Sequence, residues 1–489
     1  MAMALMLMVL LSTSCTKDKG NYDYRDICTA EIDPFPPDLT VEQFTNFYIE
    51  PKMTLSDPRA TFNDFEYVWY LYPENSQYIY SIDTISRERI LDIPISYVIG
   101  NYYLGFKVIN KETKTYNEIK TLFRVINEDN IGYILLSSIN GEAETTFVSE
   151  KGNITRGIVE TLNGRKIGKN PVGLHVTQGI YMNNYLVWIL CDDEEAGGGL
   201  VLNATSLSIF RTYEQMFMFK PDKIKPQVVA WDGASPFLEA TVNNGVLYSR
   251  WDRAPYPPEF GDPKTGDFYV DNFLFCWDTY WFFAYDKLGK RFLWYNNIQQ
   301  LDLQIFPDPE PEDAWGFDPR NVGMDMLEGY MCGPAGATKW DGRAVMRDDN
   351  GDVNLLNFTL VRTYPYPMAP GNILNVSSHP GINQAKAFAI TVAGEFAYYG
   401  EGNKIHISSF ITGNYLGVMQ ELPAGLTIDC LRVDRKRGRS ELWVAASNGS
   451  GSADSGSFFV FGISSDGTLT KKAEYLNCCG RVVDIHFKD

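Results

Sequence analysis

Six segments of the chain repeat one pattern: an apolar strand rich in aromatic and β-branched residues, a polar turn, and a second strand. They are 133–150 (YILLSSINGEAETTFVSE), 199–216, 281–297 (WFFAYDKLGKRFLWYNN), 353–366, 404–422 and 457–476. Almost nothing between them carries the 3.6-residue period of an amphipathic helix, so helical bundles and alternating α/β folds are excluded. Hairpins recurring at irregular intervals of about 50 to 80 residues are the mark of propeller blades with insertions. Further strands at 185–191, 246–251, 395–399 and 441–446 read as inner strands of the second, third, fifth and sixth of these units. The expectation is an all-β chain whose region 127–489 is a β-propeller, seven blades being the best count. The last strand, 481–487 (RVVDIHF), would complete a blade near the start of the ring.

The region 27–126 has a different rhythm. Strand candidates at 46–53, 65–71, 77–82, 89–95, 102–110 and 118–126 follow one another across about 100 residues, the size of an immunoglobulin-like sandwich. Tyr67 and Trp69 occupy alternate positions of one strand and so share a face. The segment 100–108 (GNYYLGFKV) resembles the G-x-Y-x-V-x-L-x-V strand of polycystic-kidney-disease (PKD) domains, and the turn at 110–114 fits it.

The chain starts with an uncharged apolar run, 1–11 (MAMALMLMVLL), far shorter than the roughly 20 residues that cross a bilayer. It reads as the core of a secretory signal. Ser12, Thr13 and Ser14 then lead into Cys15, and the arrangement resembles the lipobox of bacterial lipoproteins. That resemblance implies a signal peptide over 1–14, lipidation of Cys15, and a polar tether over 15–26. Lys17-Asp18-Lys19 resembles the charged signal that sends such lipoproteins to the outer face of the outer membrane. Lipobox, the following Gly20-Asn21-Tyr22-Asp23-Tyr24, PKD-like block and a long β-rich region ending in Val482-Val483-Asp484-Ile485 together resemble the PKD-like family lipoproteins of Bacteroidetes. By that resemblance the partners are a TonB-dependent outer-membrane transporter and its lid lipoprotein. The implied role is non-catalytic: to bind or present an oligosaccharide or peptide nutrient.

The formal charge of −18 is spread along the chain and forms no tail, which speaks for a solvated acidic surface and against nucleic acid or anionic membrane as partners. Setting Cys15 aside leaves Cys28, Cys191, Cys276, Cys332, Cys430, Cys478 and Cys479. An odd number cannot all pair within one chain, and adjacent cysteines bridge only under strain, so most are expected to be buried free thiols.

The usual catalytic signatures are missing: there is no G-x-S-x-G, H-E-x-x-H, P-loop or G-x-G-x-x-G, and no cofactor is implied. The four histidines, His175, His379, His406 and His486, lack metal-ligand spacing, and His406 and His486 read as structural residues of apolar strands. The cluster Asp192-Asp193-Glu194-Glu195 reads as a solvated loop. The segment 348–354 (DDNGDVN) has the spacing of a calcium loop but carries Thr359 where the bidentate Glu belongs, so a hairpin turn explains it and no metal is assigned. The candidate ligand-binding residues are aromatic: Trp251, Tyr256 and Phe260 in the proline-rich insertion 251–281, and Trp315 in a second insertion. Two other readings stand beside nutrient binding. One is a propeller glycosidase or lyase, for which two facing acids with room for water would speak; the other is a purely structural docking subunit.

Overall fold

The computed structural model describes residues 27–74, 83–127, 131–178, 185–231, 238–251, 259–278, 281–296, 302–307, 316–332, 339–361, 368–434 and 440–488. Two compact units emerge: 1–95 with 100–126, and 96–99 with 127–489.

In the first unit a five-stranded sheet runs in the order Asp38–Glu42, Tyr116–Ile126, Gly100–Asn110, Phe65–Pro73, Asp83–Ser86. All its pairs are antiparallel except the first, which is parallel. Two short pairs, Asn46–Ile49 with Leu91–Pro94 and Ala30–Ile32 with Met53–Leu55, complete the unit. The segment 46–53, expected as one strand, is two, because Pro51 has no N–H to give a ladder. Trp69 is fully buried, its ring centroid 4.3 Å from that of Phe106, and its indole N–H donates to the Glu88 carbonyl at 3.0 Å. The segment 77–82 lies outside the described residues.

The described residues of the second unit form seven antiparallel sheets that follow one another in chain order. The first is closed by the end of the chain: Arg481–Lys488 pairs along Gly132–Ile139, which continues outward to Glu142–Ser149 and Ile154–Arg156. Adjacent sheets meet through their innermost strands. Arg481–Lys488 lies beside Pro171–Gln178, and the series continues through Pro226–Trp231, Val270–Asp278, Asp325–Cys332, Phe388–Ile390 and Thr427–Val433 back to Arg481–Lys488. This closed ring of radially arranged sheets is a β-propeller. Between each pair of neighbouring sheets sits an apolar layer, such as Ile134, Phe147, Val187 and Leu202 between the first two. Strands such as Trp281–Asp286 and Glu441–Ser447 are therefore buried on both faces and read as unbroken apolar runs.

The strand Val246–Trp251 does not belong with the 281–297 hairpin, as the sequence suggested. It pairs with Leu238–Asn243, which pairs with Pro226–Trp231, so it is the outer strand of a sheet of its own. The inner strand ahead of 281–297 is Val270–Asp278, so the end of the 251–281 insertion is a strand pair, the reading that 273–283 favours in the sequence. Among the described residues Cys191, Cys332, Cys430, Cys478 and Cys479 are buried, which agrees with their expected packing as small hydrophobes.

Among the described residues one short α-helix, Ile158–Asn163, interrupts the strands, bounded by Gly157 and Gly164, both left-handed. Its Glu160 accepts hydrogen bonds from the Thr145 N–H and hydroxyl, but burial dominates and raises its pKa from 4.5 to about 7. A carboxyl group with a raised folded-state pKa is stabilising while protonated: its contribution is whole below about pH 4.5 and is lost as pH rises through about 7. Glu160→Gln should therefore flatten the fall in stability between about pH 5 and 8. Urea midpoints taken across that window test this; an unchanged slope would refute it.

Candidate functional site

The inner strands of the propeller enclose a cavity of about 330 Å³. Because side chains alternate along a strand, residues two apart face the same way. Asp484 and His486 enter as such a pair from the last strand, and Phe273 and Phe275 as another from Val270–Asp278. His175, Glu328 and Arg432 come from three further inner strands.

Asp484 ties these strands together. Its Oδ1 accepts from Arg432 Nε at 2.7 Å and from its neighbour Ile485 N–H at 2.9 Å, and its Oδ2 accepts from the Leu174 N–H at 2.9 Å. Burial alone would push its pKa up. The Arg432 guanidinium, His175, His486 and the Leu174 N–H outweigh that and hold the carboxyl below its ordinary range. Conversely, the Asp484 charge raises the pKa of Arg432 despite its desolvation. Arg432 also donates from Nη1 to the Leu431 carbonyl at 3.2 Å and lies 4.0 Å from Glu328 Oε2. Although protein surrounds it, 42 % of its side-chain surface stays accessible, because it faces the cavity. The rings of His175 and His486 are 6.5 Å apart.

The aromatic residues proposed from the sequence are not brought together here. Phe260 is 0 % exposed, packed with Trp188 and Phe217 between two sheets, which removes it from contact with any ligand. Trp251 is half-buried against the neighbouring apolar layer. Tyr256 and Trp315 lie outside the described residues, as does Cys15. His486, expected as a structural residue, lines the cavity; His406 is buried, stacked on Tyr399 and hydrogen-bonded through Nδ1 to Tyr415 at 2.9 Å.

The acidic loop and the calcium-like segment are held by local hydrogen bonds. Asp193 accepts from the Lys169 N–H at 2.8 Å, and Asp348 Oδ1 accepts from the N–H groups of Asn350 and Asp352 at 2.9 and 2.8 Å, closing the turn with Gly351 at a φ of 87°. Among the described residues, no group of three or more His, Cys, Asp or Glu side chains is placed to hold a metal ion.

The cavity residues escaped the sequence reading because they come from inner strands up to 311 positions apart (175 to 486). The signal available was polar residues set into apolar strands: Asp484 among Val482, Val483 and Ile485, and Arg432 between Leu431 and Val433.

Residues 15–171 match the PKD-like family. The N-terminal part of the chain is PKD-like. The match runs past the end of the first unit at Ile126, through the first propeller hairpin and the helix Ile158–Asn163. Among solved structures, a quinonprotein alcohol dehydrogenase-like protein from Bacteroides thetaiotaomicron VPI-5482 is similar over 93 % of this chain and 97 % of its own, at 13 % identity and a TM-score of 0.54. At that identity the likeness shows the fold alone. The β-propeller domain of Myceliophteria thermophila Cps50 (Swd1) is similar over 57 % of this chain and 94 % of its own, and a putative TolB from Agrobacterium tumefaciens over 54 % and 88 %. Both have 9 % identity and a TM-score of 0.32, too distant to carry an argument. No curated protein matches the sequence.

Proposed function

We propose that this chain is a lipid-anchored protein of the outer-membrane surface that holds a small nutrient in the axial cavity of its propeller and presents it to a TonB-dependent importer. The lid lipoprotein of that importer would be the third member of the assembly, and the anchor on Cys15 would raise the local concentration of all three. The observation that carries the binding role is the cavity itself: about 330 Å³, walled by apolar strands, with a few convergent polar groups and a guanidinium that is accessible from inside.

The same site speaks for binding rather than hydrolysis. A glycosidase needs one carboxylic acid held protonated and room for water between its two acids. Of the three carboxylates that line the cavity, Asp484 and Glu328 flank the Arg432 guanidinium, and Asp484 is held below the ordinary carboxylate range.

The test is an affinity pull-down from native outer membranes of the full chain tagged at its C-terminus, with Cys15→Ala as control, paired with a hydrolysis assay on oligosaccharides. Copurification of a TonB-dependent transporter that fails for Cys15→Ala, with no hydrolysis, is the expected result. Turnover of a glycan, or recovery of the protein alone, would overturn the reading.

A further inference from the structure

We infer that Cys478 and Cys479 form a redox-active dithiol that a small peroxide closes into a disulfide between neighbouring residues, at the joint where the last sheet passes the chain to the closing strand. The two sulfurs are 3.7 Å apart, and closing the bond needs about 1.7 Å of approach. A regular strand sends successive side chains to opposite faces, which would separate them. Here the strand is bulged. Gly456 pairs with Cys479 and Phe458 with Tyr475, so Leu476, Asn477 and Cys478 all lie opposite the single residue Ser457. Asn477 sits in the left-handed region at a φ of 51°, its N–H donated to the Ser457 hydroxyl at 3.0 Å.

Donors converge on the first of the two sulfurs. Cys478 accepts from the Cys479 S–H and from the backbone N–H groups of Cys478 and Phe458, and the Arg156 guanidinium adds a positive field; together these hold its thiol below the ordinary range despite burial. The same contact pushes Cys479 up. Arg156 is itself held by Glu144 at 2.9 Å and Asp454 at 2.6 Å. By contrast, burial pushes the thiols of Cys191 and Cys430 up to about 12, where they are protonated and inert. Cys478 is 4 % exposed and follows the exposed Leu476 and Asn477, so it lies just beneath the surface, within reach of an oxidant as small as a peroxide.

The Cys478 thiolate attacks one peroxide oxygen, the O–O bond breaks, and the departing hydroxide takes up the proton that Cys478 released. The Cys479 sulfur then displaces hydroxide from the sulfenic acid on Cys478; the S–S bond forms, and the hydroxide leaves as water with the Cys479 proton. Two electrons pass from the sulfurs to the peroxide, which ends as two waters. The bridge strains its joint, because neighbouring Cα atoms lie about 3.8 Å apart and an ordinary disulfide spans about 4.4–6.8 Å. Gly480 alone separates Cys479 from Arg481–Lys488, and it packs so closely on Ile139 that a Cβ would meet the Ile139 Cγ1 at 2.7 Å, leaving little room to absorb that strain. The strained strand is the one that closes the ring and brings Asp484 and His486 to the cavity. Oxidation therefore loosens the closure, and a strained disulfide is readily reduced, which makes the change reversible.

The experiment treats the reduced full-length protein with hydrogen peroxide at neutral pH, alkylates it in denaturant, and reads the peptide carrying both residues by mass spectrometry. That peptide should lack two hydrogen atoms and take no alkyl group, dithiothreitol should restore both sites, and Cys191 and Cys430 in the same sample should alkylate in full. In Cys479→Ala the reaction should stop at a sulfenic acid on Cys478 that dimedone traps. The urea midpoint of the oxidised protein should fall below that of the reduced one. Two alkylated thiols after peroxide, sulfinic or sulfonic acid in place of a bridge, or a bridge from either residue to a third cysteine would overturn the inference. A bridge that leaves the urea midpoint unchanged would overturn its link to ring closure.

Discussion

Removing residues 481–489 should leave a second unit that no longer unfolds cooperatively. The strand Arg481–Lys488 is the innermost of its sheet, and it joins the last part of the chain to Gly132–Ile139, the first strand of the ring. Three of its side chains, Val482, Ile485 and Phe487, are buried among Tyr133, Leu135, Trp443 and Phe458. At about 1.5–3 kcal/mol each, their loss amounts to roughly 5–9 kcal/mol, comparable with the whole stability of an ordinary domain. The truncation also strips Pro171–Gln178 and Thr427–Val433 of the neighbour between them and takes Asp484 away from Arg432. Far-UV circular dichroism through a urea series would show a broad, non-cooperative loss of signal in place of a sigmoid, with 1-anilinonaphthalene-8-sulfonate binding already in buffer. A synthetic peptide covering 480–489 should restore part of the transition. A truncated chain that melts as sharply as the full one would show that the ring does not depend on this closure.

That closing strand was legible in the sequence, and the reason is local. RVVDIHF is bounded by Gly480 and the chain end, and its β-branched residues leave few alternatives to a strand. The hairpins were legible for the same reason: each closes over a short polar turn, such as Asn140–Gly141, with both residues at positive φ. The inner strands were harder. Pro171–Gln178 starts at a proline and mixes Gly, His and Thr, and Phe388–Ile390 is three residues long, so neither has enough pattern to stand out. Assigning Val246–Trp251 to the wrong sheet followed directly, since the partner that claims it, Leu238–Asn243, is as apolar and lies just before it. The cavity was invisible because Glu328, Arg432 and Asp484 meet only when the ring closes, and nothing in the sequence around each of them tells which other inner strand it will face. Phe260 misled for a related reason: its setting among prolines and acids looks like a surface loop, but its isolated bridge to Phe217 draws it under the strands.

Phe260 is buried over a charge, and the second large effect is expected there. Glu239 and Arg250 face each other across adjacent strands, with side chains 2 % and 1 % exposed, and Arg250 Nε donates to Glu239 Oε2 at 2.6 Å. The guanidinium lies 5.5 Å from the Trp188 ring centroid and 5.6 Å from that of Phe260, so aromatic faces replace part of the water it has lost. Glu239→Ala leaves that cation buried without its carboxylate and should cost about 3–5 kcal/mol in urea unfolding. Two rings cannot make up the difference, since each cation–π contact contributes only about 0.5–2 kcal/mol. Replacing both partners with apolar residues of similar volume, Glu239→Leu with Arg250→Met, removes the charges together and should recover most of the loss, because a buried pair has already spent its attraction on its own desolvation. A single variant within about 1 kcal/mol of the parent would mean that water reaches the pair. A double variant as damaged as the single would mean that Arg250 is held for its shape between Trp188 and Phe260, and that the charge is incidental to the packing of these two sheets.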